Sequence, residues 1–580
     1  MISAFKKKPI LVLLLLAFTN WVAHYFYFRR FGLYEDDYFN TVFHLTQNLD
    51  QLLYFIEYRL THWIQGHAFT FIQPLFSFII ARVGDLHSLY IFAFIIVTAN
   101  SFLFYKILKV LFKESEIFAV VGALAYVLFP PDTTKTLLIC AFQLQVSFMF
   151  FLISTLLYLK GWKKLSYFII PLCLLTYESP FMLFFAVPLF QAAFDKKFWK
   201  YYTVHVLILC FMIAAFALYR ISEGESRMVE TQGQPLDVIY KVLTAMILGP
   251  LMNILLFVRA PFATILSWFE SPSYWFKTPL EPWYKYIFIY IVIFFAVYST
   301  FLYKLKNNFI PRLNDNDTDK SSNNAYTYFH SLVKILFVGI VLLCLGYSVS
   351  FTHYPPTRIM GLNTSVHLAA TFGGSIIFSC VCTSIVYILE KYNLKIFGIL
   401  LISAYLSLLV GYGTIIQQDF ARSWSLQRYF YTNIIKLCPD LNDSTVIFVT
   451  EKWYMPDTRY IYSHSTSHAW ALNGIYKFPD HWNNPPRLFL KEREWADKLK
   501  VEGGKLLWDD ELNFSTLKWQ PIPDKNLILI NYNMSTNEFT RIDTVINVNN
   551  VPITLKPKPS ELKPNPVLQK GPLYEYLVFE

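Results

Sequence analysis

Eleven apolar runs, most of them close to bilayer-crossing length, constrain this chain more than anything else in it. They fall at about 9–28, 88–110, 116–131, 143–160, 165–177, 180–194, 201–220, 284–303, 331–351, 366–389 and 396–416. In hydrocarbon an unpaired backbone group is costly, so a chain of this kind spans as helices or as a closed barrel. Runs of this length suit helices. The short pair 165–177 and 180–194 is broken by Glu178-Ser179-Pro180. Composition agrees, with 55% hydrophobic and only 16% charged residues. The fold class expected is a polytopic α-helical membrane protein of about 11 transmembrane helices, followed by a C-terminal soluble α/β or α+β domain.

The net charge of +10 does not point to nucleic acid, because the lysines gather in short turns between spans. With the N-terminus inside, the inner turns carry Lys6-Lys7-Lys8, Lys106/Lys109/Lys113, Lys160/Lys163/Lys164, Lys196/Lys197/Lys200, Lys304/Lys306/Arg312 and Lys391/Lys395. That pattern obeys the positive-inside rule and places the C-terminus outside. The first run follows three lysines, as a signal peptide does, yet bulky Tyr25-Phe26-Tyr27-Phe28 stands where a small-residue cleavage site would be. It reads as a retained anchor. Of seven cysteines, six lie in or beside apolar runs and Cys438 stands alone, so neither a disulfide framework nor a metal-ligand spacing is present.

Two further apolar stretches do not fit the count. Residues 68–84 contain Gln73-Pro74 and Arg82, and residues 238–269 contain Gly249-Pro250 and Arg259-Ala260-Pro261. Counting either as one more span would invert the charge bias downstream, so both are expected at the outer interface or as re-entrant hairpins. Residues 39–66 carry Phe39, Val42, Phe43, Leu49, Leu52, Leu53, Ile56 and Leu60 at helical spacing, which suits an interfacial helix. The organisation expected is therefore a membrane domain over 1–416, with residues 29–87 as its first outer loop, and an outer soluble domain over 417–580. In that last domain, residues 445–449, 526–530, 544–548 and 574–579 read as strands, and 423–436, 467–477 and 490–499 as helices.

Glu35-Asp36-Asp37 opens the first outer loop, directly after the first span. Three adjacent carboxylates at a membrane face are costly to hold unless they bind or react. A sugar transfer with inversion needs one carboxylate to deprotonate the acceptor, and a second can hold a divalent cation that neutralises the departing phosphate. The plainer reading is a solvated turn or a cap on the helix beginning near Tyr38. Glu178 stands at the turn between the two short spans, where it either contacts substrate or is an interfacial turn residue. His353 and Arg358 lie in the loop His353-Tyr354-Pro355-Pro356-Thr357-Arg358. Arg358 offers a planar donor fork for phosphate, against which stands simple snorkelling to headgroups. His62 and His67 in the first outer loop line a cleft or sit at the interface. The pair His464/His468 has no metal-site context.

One anchor span after lysines, an outer loop opening on an acidic doublet, interfacial helices, short spans and an outer C-terminal domain: this layout resembles the GT-C fold glycosyltransferases that use polyprenyl-phosphate sugars, such as the protein O-mannosyltransferases and aminoarabinose transferases. The resemblance covers roughly residues 1–200. Those groups often carry Asp-Glu where this chain has Glu35-Asp36-Asp37. The resemblance implies a multi-pass protein of a bacterial inner or plasma membrane. Its donor is a lipid-linked sugar and its acceptor a glycan, lipid or protein. Glu35, Asp36 and Asp37 are the catalytic candidates, and Arg358, Glu178 and His353 would bind substrate. A divalent cation, Mg2+ or Mn2+, would sit at Asp37. Two other classes compete. A flippase should carry ionisable residues within spans and an internal repeat, neither of which is evident. A surface-polysaccharide polymerase or ligase should rely on outer-loop Arg and His.

Overall fold

In the computed structural model the described residues are 2–62, 67–83, 85–112, 115–191, 195–223, 235–269, 286–305, 325–349, 355–356, 361–449, 468–490, 499–502, 505–509, 519–522, 526–533, 536, 538–543, 545–548, 551–559 and 565–579. The chain is mostly helical, with a small sheet region near its C-terminal end. In order the helices are α1 (Ile2–Asn20), α2 (Asp37–Thr46), α3 (Leu49–His62), α4 (Ile72–Val83), α5 (Ser88–Leu111), α6 (Glu116–Val127), α7 (Gln145–Leu159), α8 (Lys163–Ile169), α9 (Pro171–Thr176), α10 (Lys196–Ser222), α11 (Pro235–Phe269), α12 (Tyr286–Lys304), α13 (Ala325–Leu345), α14 (Ala370–Lys391), α15 (Lys395–Leu437), α16 (His468–Ile475) and α17 (Tyr574–Leu577).

Among the described residues eight helical segments are long and apolar enough to cross a membrane: Pro9–Arg30, Ser88–Leu111, Cys140–Leu159, Lys196–Ser222, Leu236–Leu266, Tyr286–Lys304, Ala370–Lys391 and Lys395–Leu437. Seven of them coincide with expected spans. Among the described residues the other four expected spans have no such segment, although α13 as a whole is 21 residues long. The run at 116–131 gives only Glu116–Val127, and the described apolar part of the run at 331–351 is Leu332–Leu345. The run at 165–177 splits at Ile170 into α8 and α9, and the run at 180–194 forms a 3-10 helix, Ser179–Gln191. Conversely, α11 is one continuous 35-residue helix through Pro250 and Pro261, where interfacial or re-entrant pieces were expected. It lies among the long helices. Phe257 stacks on Phe378 at 5.5 Å, Tyr405 Oη donates to the Phe257 carbonyl at 2.6 Å, and Thr264 Oγ1 donates to the Leu408 carbonyl at 3.0 Å.

Helix starts are set locally. Ser115 caps α6 and Asp195 caps α10, each side chain accepting the N–H three residues on. Close helix contacts rest on small residues, as in lipid where packing rather than water expulsion joins helices. A Cβ on Gly373 of α14 would lie 2.4 Å from the Leu343 backbone nitrogen of α13. A Cβ on Gly413 of α15 would lie 2.6 Å from the Ala23 carbonyl oxygen.

At the C-terminal end the main sheet has strand order β2-β1-β3-β4, where β1 is Val446–Val449, β2 Arg487–Leu490, β3 Leu527–Asn533 and β4 Glu538–Ile542. The first three are parallel and β4 is antiparallel to β3. Buried runs such as Val446-Ile447-Phe448-Val449 suit strands covered on both faces. The stretch 544–548 contributes Ile546–Val548 to a separate hairpin. The stretch 574–579 forms the single-turn helix α17 rather than a strand. Residues 491–498 of the expected helix at 490–499 lie outside the described residues.

The two parts are continuous. Helix α15 runs unbroken for 43 residues through the expected domain boundary at 416/417. Helix α16 packs on α2, so that a Cβ on Gly474 would meet Val42 at 2.9 Å. Tyr576 Oη accepts the Leu86 N–H at 3.1 Å.

Candidate functional site

The turn between the first span and α2 is fixed from several sides. Tyr34 Oη donates to the Phe420 carbonyl of α15 at 2.8 Å, and Tyr38 Oη donates to Gln427 Oε1 at 2.6 Å. Tyr90 donates to the Gly32 carbonyl. A Cβ on Gly32 would overlap the Trp424 ring, so only glycine lets α15 approach this closely.

Within this frame the three acids have different surroundings. Asp37 is fully buried at the start of α2. Its Oδ1 accepts the Ile139 N–H at 2.7 Å, and its Oδ2 accepts those of Leu138 at 3.3 Å and Tyr34 at 3.4 Å. Burial pushes its carboxyl up to about 7, against the pull of the three backbone donors. Glu35 is buried at φ 44°, a conformation that side-chain-bearing residues seldom adopt and that costs on the order of 1–3 kcal/mol. Both of its carboxylate oxygens accept the Leu362 N–H at 3.2 Å. Asp36 is the partly exposed member. It occupies the N-cap position of α2 without a side-chain cap hydrogen bond, so its carboxylate is not used for capping.

The two segments that receive Glu35 and Asp37 are joined to each other. Thr133 Oγ1 and Thr364 Oγ1 are 2.8 Å apart, and the Thr133 N–H donates to Thr364 Oγ1 at 3.2 Å. The loop 130–139 is itself tied by Asp132. Its Oδ1 accepts from Thr134 N and Oγ1 at 2.9 and 2.6 Å, and its Oδ2 lies 3.5 Å from Lys135 Nζ. Tyr25 Oη donates to the Lys135 carbonyl at 2.5 Å. Burial pulls the Lys135 ammonium below its usual range, and the Asp132 carboxylate opposes this. A fifth carboxylate, Asp419, is fully buried on α15 next to Phe420.

Glu178 belongs to a second cluster, of one acid and two basic side chains. Its Oε2 is 2.9 Å from His67 Nε2 and its Oε1 is 3.6 Å from Arg220 Nη1 at the end of α10. Burial would raise its carboxyl, but the hydrogen bond and charge of His67, with the charge of Arg220, bring it down to about 2. The Phe69 N–H donates to the Leu175 carbonyl at 3.0 Å, and Gln73 Nε2 donates to Thr41 Oγ1 of α2 at 3.1 Å. The segment 67–73 thus connects the two clusters. His62 is exposed and stacks on Tyr58. His353 and Arg358 lie outside the described residues, as does His464.

The donor set does not fit a divalent cation centred on Asp37. Both of its oxygens meet backbone N–H groups, and among the described residues no three His, Cys, Asp or Glu side chains are gathered as metal ligands. The residues that sequence reasoning missed are Arg220, Asp132, Lys135 and Asp419. Asp132 and Lys135 did leave a signal, since Pro130-Pro131-Asp132-Thr133-Thr134-Lys135-Thr136 is a polar interruption between two apolar runs. Comparison of the chain with protein families, curated proteins and solved structures finds no match.

Proposed function

We propose that this protein is a membrane glycosyltransferase that moves a sugar from a lipid-linked polyprenyl-phosphate donor to an extracytoplasmic acceptor, with Asp36 as the base. What supports this reading is the division of labour among the three acids. Glu35 and Asp37 are engaged by backbone N–H groups of two other segments, and Asp36 between them is the partly exposed carboxylate. The turn that carries it is held by Tyr34 and Tyr38 to α15, one of the long apolar helices along which a lipid-linked donor would arrive. Asp36 takes the proton of the acceptor hydroxyl, the acceptor oxygen attacks the anomeric carbon, and the sugar–phosphate bond breaks with inversion. The electron pair of that bond leaves on the phosphate. No step is assigned to a metal ion. Phosphate binding by Arg358 and His353 remains part of the proposal on their residue chemistry alone.

The acidic turn, α16 and the sheet lie at one end of the helices, and the reading places that end outside the cell membrane. The exposed Lys570 gives a handle for orientation. In a Lys570→Cys variant an impermeant thiol reagent should label intact cells, and labelling only after permeabilisation overturns the orientation. The decisive assay is release of polyprenyl phosphate from a lipid-linked sugar by the purified protein. Wild type should release it and Asp36→Asn should not; equal release by both overturns the assignment.

A further inference from the structure

Helix α3 presents large apolar side chains outward among its polar ones. Its outward side carries Leu49, Leu53, Tyr54 and Leu60, all exposed, while Leu52 and Arg59 are buried beneath it. An apolar outward face suits contact with lipid. A buried arginine on the inward face needs another explanation, because an unpaired charge out of water is strongly unfavourable.

Arg59 is only 8% exposed, and its Nε is buried with no partner. Among the described residues it has neither an ion pair nor a hydrogen bond; its recorded contact is the Phe55 ring, 5.1 Å from Cζ. The other side chain on Phe55 is His44, with ring centroids 4.6 Å apart. His44 Nδ1 is 2.7 Å from Gln47 Oε1, and Arg82 Nη2 donates to the Gln47 carbonyl at 3.1 Å. Arg59 and His44 thus share the Phe55 ring, and Arg82 is tied to Gln47, the hydrogen-bond partner of His44. Burial lowers the His44 imidazole to about 4, so it stands beside Arg59 as a neutral ring. The acids of α3, Asp50 and Glu57, are exposed and form no pair with them. Burial pulls the Arg59 guanidinium down to about 10, consistent with a missing counter-charge.

We propose that Arg59, with His44 on the other side of the Phe55 ring, holds the phosphate of an anionic membrane lipid whose chains lie along the apolar side chains of α3. The guanidinium fork matches phosphate geometry, and a lipid supplies both the anion and the apolar partner for Leu49, Leu53 and Leu60. This phosphate is not the one that leaves the sugar. His44 stands eight residues beyond Asp36 along α2, which is about 12 Å at 1.5 Å per residue. The inference rests on the membrane character of the chain and not on the transfer reaction, so the two fail independently.

The test is binding. Full-length protein in neutral detergent is titrated with dioctanoyl phosphatidylglycerol, with melting temperature and lipid occupancy by native mass spectrometry as readouts. The lipid should raise the melting temperature of wild type, and its dissociation constant should rise about 10-fold or more in Arg59→Gln, as expected for loss of a charged hydrogen-bond donor. Arg59→Lys should recover part of the binding. Arg59→Met should melt above wild type without lipid, since it removes an unpaired buried charge, and should not respond to lipid. Dioctanoylglycerol, which lacks the phosphate, should leave wild type unmoved, as should inorganic phosphate at the same concentration. An undiminished lipid response in both Arg59→Gln and Arg59→Met overturns the site. An equal response to inorganic phosphate overturns the headgroup as its source.

Discussion

Asp37 and Glu178 are both enclosed carboxylates near the same end of the helices, and they are held in opposite ways. Asp37 is held by three backbone N–H groups, and its carboxyl is pushed up to about 7. Glu178 is held by His67 and Arg220 and is brought down to about 2. Backbone dipoles orient a carboxyl without neutralising it, so burial still dominates its protonation. Cations neutralise it and lock it as an ion. The first arrangement suits a site where a proton moves and the second suits a fastening.

The largest effect belongs to Asp36, which Asp37 and Glu35 flank. Asp36→Asn should lower transfer 10²-fold or more, the usual loss on removing a positioned base. Its melting temperature should stay near wild type, because asparagine keeps the side chain's shape at a partly exposed position. Near-normal turnover would make the acidic turn a fastening like Glu178 and remove the distinction.

Glu178→Gln should act on stability first. It leaves Arg220 and His67 without their counter-charge, a change worth about 2–3 kcal/mol for a partly enclosed pair. Thermal unfolding in detergent reads this directly. If transfer falls while melting does not move, Glu178 is a substrate residue and the contrast with Asp37 is broken.

The two acids should also leave opposite marks on pH dependence. Asp37 has a folded value near 7 against an ordinary value of 3.8. Between about pH 4 and 7 the folded chain therefore holds a proton that the unfolded chain has released, and this contribution to stability declines as pH rises through that window. Asp37→Asn should flatten the slope. Glu178 has a folded value near 2 against an ordinary 4.5, so its contribution is present above 4.5 and is lost as pH falls through about 2. Melting curves from pH 3 to 8 for wild type and the two single variants separate these slopes, and a slope between 4 and 7 that survives Asp37→Asn refutes the first.

Much of the fold was legible because hydrophobic run length directly reports bilayer-crossing helices; seven expected spans have long apolar helices in the structure. What misled was local. Gly249, Pro250 and Pro261 read as breaks, yet neighbouring helices hold α11 together through them. Tyr574-Glu575-Tyr576-Leu577 alternates like a strand but forms one helical turn, with α15 close enough for Arg428 to lie 3.8 Å from the Phe579 ring. In the site the acidic triplet was visible as adjacent letters. The roles of Glu35 and Asp37 were not, since their partners Leu362 and Ile139 lie far along the chain and bind through backbone groups that sequence does not mark. Arg220 was hidden for a different reason, because a cation at the end of an apolar run looks the same whether it meets a headgroup or Glu178.

The smallest expected effect tests whether the backbone-held corner works as one unit. The Leu362 segment is held by Glu35 and the Leu138–Ile139 segment by Asp37, and the Thr133–Thr364 pair closes the loop between them. Thr133→Val keeps the shape and removes one hydroxyl, a loss of about 1 kcal/mol in stability for a buried hydrogen bond. If the pair only adds stability, transfer should fall no more than the amount of folded protein. If it sets the position of Asp36, turnover should fall several-fold with donor affinity unchanged, and Thr133→Ser should restore it. Combining Thr133→Val with Glu35→Gln separates the cases further. Residues acting through one loop give less than additive losses, whereas independent ones add. Full additivity in turnover would mean that the two segments hold their acids separately, and that Asp36 is positioned by α2 alone.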